Sequence, residues 1–506
     1  MQLPSGSQPL FTAAQARQMD RCATEQFAVP GIVLMARAAL AAFDCLQTAW
    51  PQASAVPDNP DQSIHVLCGT GNNGGDGYLL ADLANKRGMS VCVYQLGDTG
   101  KIEGDAMLAR KQAVDNGVTV ETFAEDSLVD VGGVVVDALL GTGMGREVRG
   151  SYKTAIERIN NSGLPVLAID VPSGLCADTG RVLGAAVCAD VTVCFIGLKR
   201  GMFTLDASDH TGAIHFTDLQ LPPELYSQFD CCCSRLELNA LLDRLPARRS
   251  GTHKGSYGAV LVVGGDTGMA GAVAMAAEAA LRSGAGLVRV ATRLEHVSAL
   301  IARTPELMAH GVRSGRELRS LVEASDVLVI GPGLGLSAWS EQLLQVALES
   351  NKPVVLDADG LKLLAGKAVS KRDNWVLTPH PGEAGQLLGI STSAVQDDRF
   401  AAAMRLQQRY GGIVVLKGSG TLVVDEEQTL LSDYGNPGMA SGGMGDVLSG
   451  VLGALLGQSQ VHDLTVTESI ALGVCLHGAA ADVASEDGQR GLAATDLIPH
   501  IRALLG

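Results

Sequence analysis

The 506-residue sequence is short of positive charge: 38 Lys and Arg stand against 54 Asp and Glu, a formal net charge of −16. Nucleic-acid binding needs a basic face that neutralises phosphates and releases counterions, so no nucleic-acid partner is expected. The first thirty residues lack a basic start followed by an apolar core, so no secretory signal is read and a cytoplasmic location is expected. No apolar run, "VLSGVLGALLG" among the longest, reaches the roughly 18 residues of a membrane span, and no membrane partner is expected. The eleven cysteines contain no C-x-x-C pair and read as buried free thiols. The run Cys231 to Cys233 makes an awkward metal site, because adjacent side chains do not all point at one ion. No G-x-x-x-x-G-K-[ST] occurs, so a P-loop nucleotide site has no support. Low-complexity tracts and a repeat linking the two halves are also absent.

What is present is a hydrophobic, glycine-rich chain, 46% hydrophobic and 18% charged with 61 glycines, which reads as globular α/β. Its length predicts two domains. From residue 64 to about 219, β-branched runs such as "IHVLC", "GVVVDALLG", "PVLAIDV" and "VTVCFIG" alternate with helical patterns, which predicts a mainly parallel sheet covered by helices, a Rossmann-like three-layer domain. A proline-containing, polar stretch breaks the rhythm, and the alternation restarts at "GAVLVVGG". The expected organisation is a domain over 1–225, a linker over 226–249 and a second α/β domain over 250–506.

Ligands of open parallel sheets sit beyond the carboxyl ends of the strands, so the loops after the strands are the place to look. In the first half they are "GNNGGD", "DALLGTGMGR", "DVPSG" and "GLKRG". Gly69, Gly71 and Gly74 have G-x-G-x-x-G spacing, which suits a pyrophosphate at a helix N-terminus but is weak evidence alone. Asn72, Asn73 and Asp76 add amides and a carboxylate that a dehydrogenase turn does not need. Asp170 closes an apolar strand before Pro172, where partial desolvation favours acid/base work, although a helix cap would use the same residue. Asn73, Asp137 and Ser173 offer only oxygen, the donor type of hard cations. Lys199 is either a second acid/base or, the more natural reading, a charge for ligand phosphates.

In this order, "GNNGGDGY", "VVDALLGTGMGR", "AIDVPSGLCADTG" and "ADVTVCFIGLKRGM" resemble the YjeF N-terminal family, the NAD(P)H-hydrate epimerases. The resemblance implies that Asn72, Asn73, Gly74, Gly75 and Asp76, the loop Gly141, Thr142, Gly143, Met144, Gly145, Arg146 and Glu147, and Asp170 contact a dinucleotide with a hydrated nicotinamide. It implies a potassium ion on Asn73, Asp137 and Ser173, and Asp170 as the catalytic acid/base.

In the second half, "GNPGMASGGMGDVLSG" ends in "GGMGD" at the start of an apolar helix, where amides form an anion cradle beside Asp446. Phosphoryl transfer needs little more than positioning, charge stabilisation and one carboxylate to accept a hydroxyl proton. "LKGSGT" places Lys417 and two glycines at a strand end, as a phosphate loop or a hairpin turn would. With "HKGSYGAVLVVGG", "MAGA", "GPGLG", "DADGL" and "TPHPGE", these segments resemble the ribokinase-like superfamily, more closely its ADP-dependent NAD(P)H-hydrate dehydratases. The resemblance implies a ribokinase-like α/β domain in which Lys417, Gly418, Ser419, Gly420, Thr421 and Gly445 bind the adenine nucleotide. Ala272, Gly333, His380 and Asp446 would face the hydrate, with magnesium accompanying ADP. Asp446 would deprotonate the ring hydroxyl as it attacks ADP, AMP and phosphate being the by-products. The implied partners are NAD(P)H hydrates and ADP or AMP, in a homo-oligomer. A small-molecule kinase fused to a dinucleotide-binding or interaction domain is the alternative.

Overall fold

The computed structural model describes residues 7–54, 62–128, 131–367, 369–459 and 461–506. The chain divides into two compact units, Pro9–Cys232 and a second built on Cys233–Gly506 with Ser7 and Gln8. The segment 226–249, expected as a linker, carries the strand Cys233–Arg235 and the helix Leu238–Leu242. That strand pairs in parallel with Thr429–Ser432, so this part of the segment belongs to the second unit's sheet.

In Pro9–Cys232 a seven-stranded sheet runs in the order Thr119–Thr122, Val91–Gln95, Ile64–Cys68, Val134–Ala138, Val166–Ile169, Val191–Phe195 and Ala213–Thr217. Every pairing is parallel. Of the five strands between the edges, Ile64–Cys68, Val134–Ala138, Val166–Ile169 and Val191–Phe195 are buried throughout, which is why they read as continuous apolar runs rather than alternating ones. Strand order reverses between Ile64–Cys68 and Val134–Ala138, and a crevice opens at such a switch point.

The second unit repeats the plan. Met308–Gly311, Leu287–Thr292, Ala259–Val263, Val327–Ile330, Val354–Leu356, Trp375–Leu377 and Ile413–Leu416 lie in parallel in that order. Thr421–Val424 and Thr429–Ser432 then continue the sheet as an antiparallel hairpin, with Cys233–Arg235 beside Thr429–Ser432. Its switch point lies between Ala259–Val263 and Val327–Ile330. The helices Met444–Gly457 and Ala270–Arg282 pack closely on this sheet, with Val447, Val451 and Leu452 fully buried. Gly450 makes the approach possible, because a Cβ there would lie 2.0 Å from the Ala276 carbonyl oxygen.

Two helices, Gly31–Ala49 and Val466–Ala484, are apolar over 19 residues, longer than any apolar run read from the sequence. The second lies inside the core of its unit, where Ile470, Leu472 and Leu476 are fully buried. The first lays Leu34, Met35, Ala38, Phe43 and Leu46 against its own unit's core.

Candidate functional site

The switch point of the first unit opens into a crevice of about 1540 Å³ whose walls include Asn72, Asp76, Gly141, Arg146, Asp170 and Lys199. Its floor is tight. A Cβ on Gly69 would lie 2.0 Å from the Leu139 carbonyl oxygen, so the two strand-end loops meet backbone to backbone. Asn72 opens the helix Asn72–Lys86, and Asp76 follows one turn later. Gly74 and Gly75 of the same motif face the protein: added Cβ atoms would meet the Gly69 carbonyl at 2.2 Å and the Met35 sulfur at 2.6 Å. Their smallness serves helix packing. The loop from Gly141 to Glu147 lines the crevice, with the Thr142 carbonyl accepting from Arg17 Nη1 at 2.8 Å.

Asp170 adopts φ +67°, a left-handed conformation that costs about 1–3 kcal/mol and is held only where the surroundings demand it. A turn, not a helix, follows it, so it caps nothing. Its carboxylate is ion-paired with Lys199 Nζ, which also donates to the Phe195 carbonyl at 2.9 Å and the Cys194 sulfur at 3.4 Å. Lys199 is 2% exposed. Short parallel pairing of Leu198 and Lys199 with Leu10 and Phe11 sets its position. Burial disfavours the ammonium, but the Asp170 carboxylate outweighs that and holds the amine above its ordinary range. Lys199 is therefore Asp170's partner, not the free phosphate cation the sequence suggested.

Asp137 is fully buried. It accepts from Ser173 Oγ at 2.6 Å, Ser173 N at 2.7 Å and Leu139 N at 3.2 Å. Burial pushes its carboxyl up to about 6 even against these hydrogen bonds. Asn73 is buried beside Gly141, and its amide nitrogen has no partner. Two of the three oxygen donors expected around a cation, Asp137 and Ser173, are thus in direct contact. The sequence reading missed Asp20, which the helix Ala13–Glu25 sets in the same crevice.

In the second unit the helix Met444–Gly457 starts after Gly443, at φ +94°, with Asp446 as its third residue. A Cβ on Gly445 would stand 3.1 Å from Lys417 Nζ and 3.4 Å from Asp357 Oδ2, so this glycine lets the helix start approach an ion pair. Lys417 Nζ lies 2.7 Å from Asp357 Oδ1 and 3.9 Å from Glu383 Oε2. Asp357, 1% exposed, also accepts from Thr378 Oγ1 at 2.8 Å and Ser449 Oγ at 2.7 Å. Burial first, then the charges of Asp357, Asp359 and Glu383, push the Asp446 carboxyl up to about 7 despite Lys417. A carboxylate poised there is suited to accept a proton near neutral pH.

His380 caps the helix Pro381–Leu388. Its Nδ1 accepts from Gly382 N at 3.0 Å and Glu383 N at 3.4 Å, while its ring is largely exposed. Gly333 and Ala272 are neighbours, an added Gly333 Cβ falling 3.1 Å from Ala272 Cβ. The Gly333 loop is tied in by Gly335 N, which donates to Asp359 Oδ2 at 2.9 Å. Lys417, Gly418, Ser419, Gly420 and Thr421 form the hairpin turn between Ile413–Leu416 and Thr421–Val424, and the Lys417 amide donates to the Pro379 carbonyl at 2.9 Å. The turn's shape comes from a residue the sequence did not flag. Arg399, 1% exposed, donates to the carbonyls of Leu416 and Lys417 at 3.3 Å and of Gly420 at 3.1 Å. Asp357 could have been found, since it ends an apolar strand as Asp170 does. Arg399 could not, because "DRFAAAMRLQQRY" reads as an ordinary surface helix.

Two family profiles match the chain: residues 31–201 match the YjeF-related protein N-terminus, and residues 260–503 match NAD(P)H-hydrate dehydratase. The bifunctional NAD(P)H-hydrate repair enzyme of Coxiella burnetii is 47% identical over 98% of this chain and 99% of its own. That of Escherichia coli K12 is 43% identical over 98% and 94%. Among solved structures, a ribokinase-like superfamily protein from Enterococcus faecalis superposes with a TM-score of 0.51 at 30% identity, over 55% of this chain and 96% of that one. With near-complete coverage of both chains and a profile matched in each unit, this protein belongs to the family of bifunctional NAD(P)H-hydrate repair enzymes.

Proposed function

We propose that the first unit interconverts the R and S epimers of hydrated NAD(P)H and that the second dehydrates the S epimer at the expense of ADP, releasing AMP and phosphate. The observation that carries the second activity is Asp446, a carboxylate held near neutrality at the mouth of a glycine cradle, beside the Lys417–Asp357 ion pair. It accepts the proton of the ring hydroxyl as that oxygen attacks the terminal phosphate of ADP. The amides at the start of Met444–Gly457 and of the 417–421 turn stabilise the charge gathered on the phosphate oxygens. The hydroxyl becomes phosphate, a good leaving group, and the ring nitrogen expels it. Magnesium would accompany ADP. In the first unit Asp170 exchanges a proton with the hydrated ring carbon's hydroxyl.

A potassium ion fits the oxygen-only donors Asp137, Ser173 and Asn73, where one buried carboxylate carries too little charge for a tight divalent site. Bound there, it would supply positive charge beside the ligand phosphates and brace the strand-end loops. We also propose a cytoplasmic location and a homo-oligomer.

The experiment is to incubate the full chain with mixed hydrate epimers, with and without ADP, and to separate the products by chromatography. NADH appearing only with ADP, together with AMP and phosphate and with both epimers consumed, is the expected result. A stable phosphorylated product would instead establish the kinase reading. Epimer exchange should be several-fold faster in potassium than in a bulky organic cation at equal ionic strength, and Asp137→Asn should remove that difference while leaving S-epimer dehydration unchanged. Equal rates in both salts would mean that Asp137 and Ser173 only brace the loops.

A further inference from the structure

The proposed epimerase reaction has so far one assigned acid/base group, Asp170, already committed to an ion pair with Lys199. Inverting a carbon that bears a hydroxyl needs a proton delivered to the departing oxygen and another removed from the arriving one, so a second group is required. The helix Ala13–Glu25 supplies a candidate. Three contacts within the unit fix it: Ala13 N donates to Asp178 Oδ1 at 2.7 Å, Gln15 Nε2 to the Asp230 carbonyl at 2.7 Å, and Arg17 Nη1 to the Thr142 carbonyl at 2.8 Å. The helix turns Ala16, Arg17, Asp20, Arg21, Thr24 and Glu25 into the crevice, with Ala16, Asp20 and Thr24 on successive helical turns. Asp20 is half-buried there and, among the described residues, forms no ion pair. The arrangement therefore places an unpaired carboxyl and a lysine-paired carboxylate on the walls of one crevice.

We propose that Asp20 is the second catalytic group of the epimerase, giving its proton to the ring hydroxyl while Asp170 accepts one; this rests on the epimerase reading of the crevice. The step balances without any oxidant or metal. Asp20 protonates the hydroxyl on the hydrated carbon, the C–O bond breaks with its electron pair leaving on water, and the ring nitrogen lone pair forms the carbon–nitrogen double bond. Water then adds to the opposite face, returns that electron pair to nitrogen and gives its proton to the Asp170 carboxylate. Asp20 is left ionised and Asp170 protonated, which is the arrangement needed to run the opposite epimer back. The electrostatics agree with these roles. Burial first, then the charges of Asp170 and Asp105, raise the Asp20 carboxyl above its ordinary range, with Lys199 pulling the other way. Asp76, from the helix Asn72–Lys86, faces the same charges and is raised well above its range by burial, Asp170 and Asp20.

The test uses the full chain with purified R and S hydrates and subtracts the spontaneous exchange rate. Asp20→Asn should lower epimer exchange by about 100-fold, while ADP-driven recovery of NADH from the S epimer stays at the wild-type rate and reports an intact fold. Exchange by the wild type should decline at high pH as the donor loses its proton. Asp20→Glu should retain part of the activity with that limb present, and the residual exchange of Asp20→Asn should lack it. The proposal is overturned if Asp20→Asn exchanges epimers within about threefold of wild type. It is also overturned if its residual activity keeps the alkaline limb while Asp76→Asn loses it. A wild-type chain that recovers NADH from the S epimer but never accelerates exchange would sink the epimerase reading itself, and the assignment of Asp20 with it.

Discussion

In the proposed reactions Asp446 and Asp170 take a proton in two different settings. Asp446 has company of its own sign, and its carboxyl at about 7 reflects burial plus Asp357, Asp359 and Glu383. As a base it works only when ionised, so ADP-driven dehydration should fall about tenfold per pH unit below about 7 and level off above it, in a kcat/KM profile. Asp446→Asn should remove NADH recovery by about 100-fold or more and flatten that profile, while epimer exchange persists. Asp170→Asn should do the reverse, sparing the S epimer and leaving the R epimer to its spontaneous rate. Near-normal recovery by Asp446→Asn would take this residue out of the reaction.

At the scale of elements, loop shape depends on residues far away in sequence. The 417–421 turn is held by Arg399, whose guanidinium serves three carbonyls at once. Replacing it with Met leaves them unpaired in a buried place, at about 1–3 kcal/mol each if water does not enter. Arg399→Met should therefore raise KM for ADP about tenfold with kcat changed less than threefold, alongside a lower melting temperature. A fall confined to kcat would mean the turn does not meet the nucleotide. Gly450 is a sharper case. Gly450→Val drives a side chain into the Ala276 carbonyl at the crossing of Met444–Gly457 with Ala270–Arg282. It should cost about 3 kcal/mol by denaturant titration. Because that helix also carries Asp446, dehydration should fall with it.

Over the whole molecule each unit carries its own group of site residues at its strand ends and helix starts, and we expect the two reactions to share a free intermediate. An equimolar mixture of Asp170→Asn and Asp446→Asn chains should therefore recover NADH from the R epimer with ADP present, although neither variant does so alone. Failure of the mixture, with each chain active in its own reaction, would show that the epimer passes between units without release. Much of this was legible in the sequence. "GNNGGD" announces a strand-to-helix junction, "DVPSG" a strand-end turn and "GGMGD" a helix start, all with local backbone demands, and the apolar runs between them place the sheets. Those local demands determined that there are two α/β units and where their strand-end loops lie. Only the tertiary structure decided that Lys199 turns inward to Asp170, that Asp357 anchors Lys417, that Arg399 shapes the 417–421 turn and that Asp20 enters the crevice. The physical reason is burial: a charge withdrawn from water must find its partner in space, and in three of these four cases the partners lie 17 or more residues away along the chain.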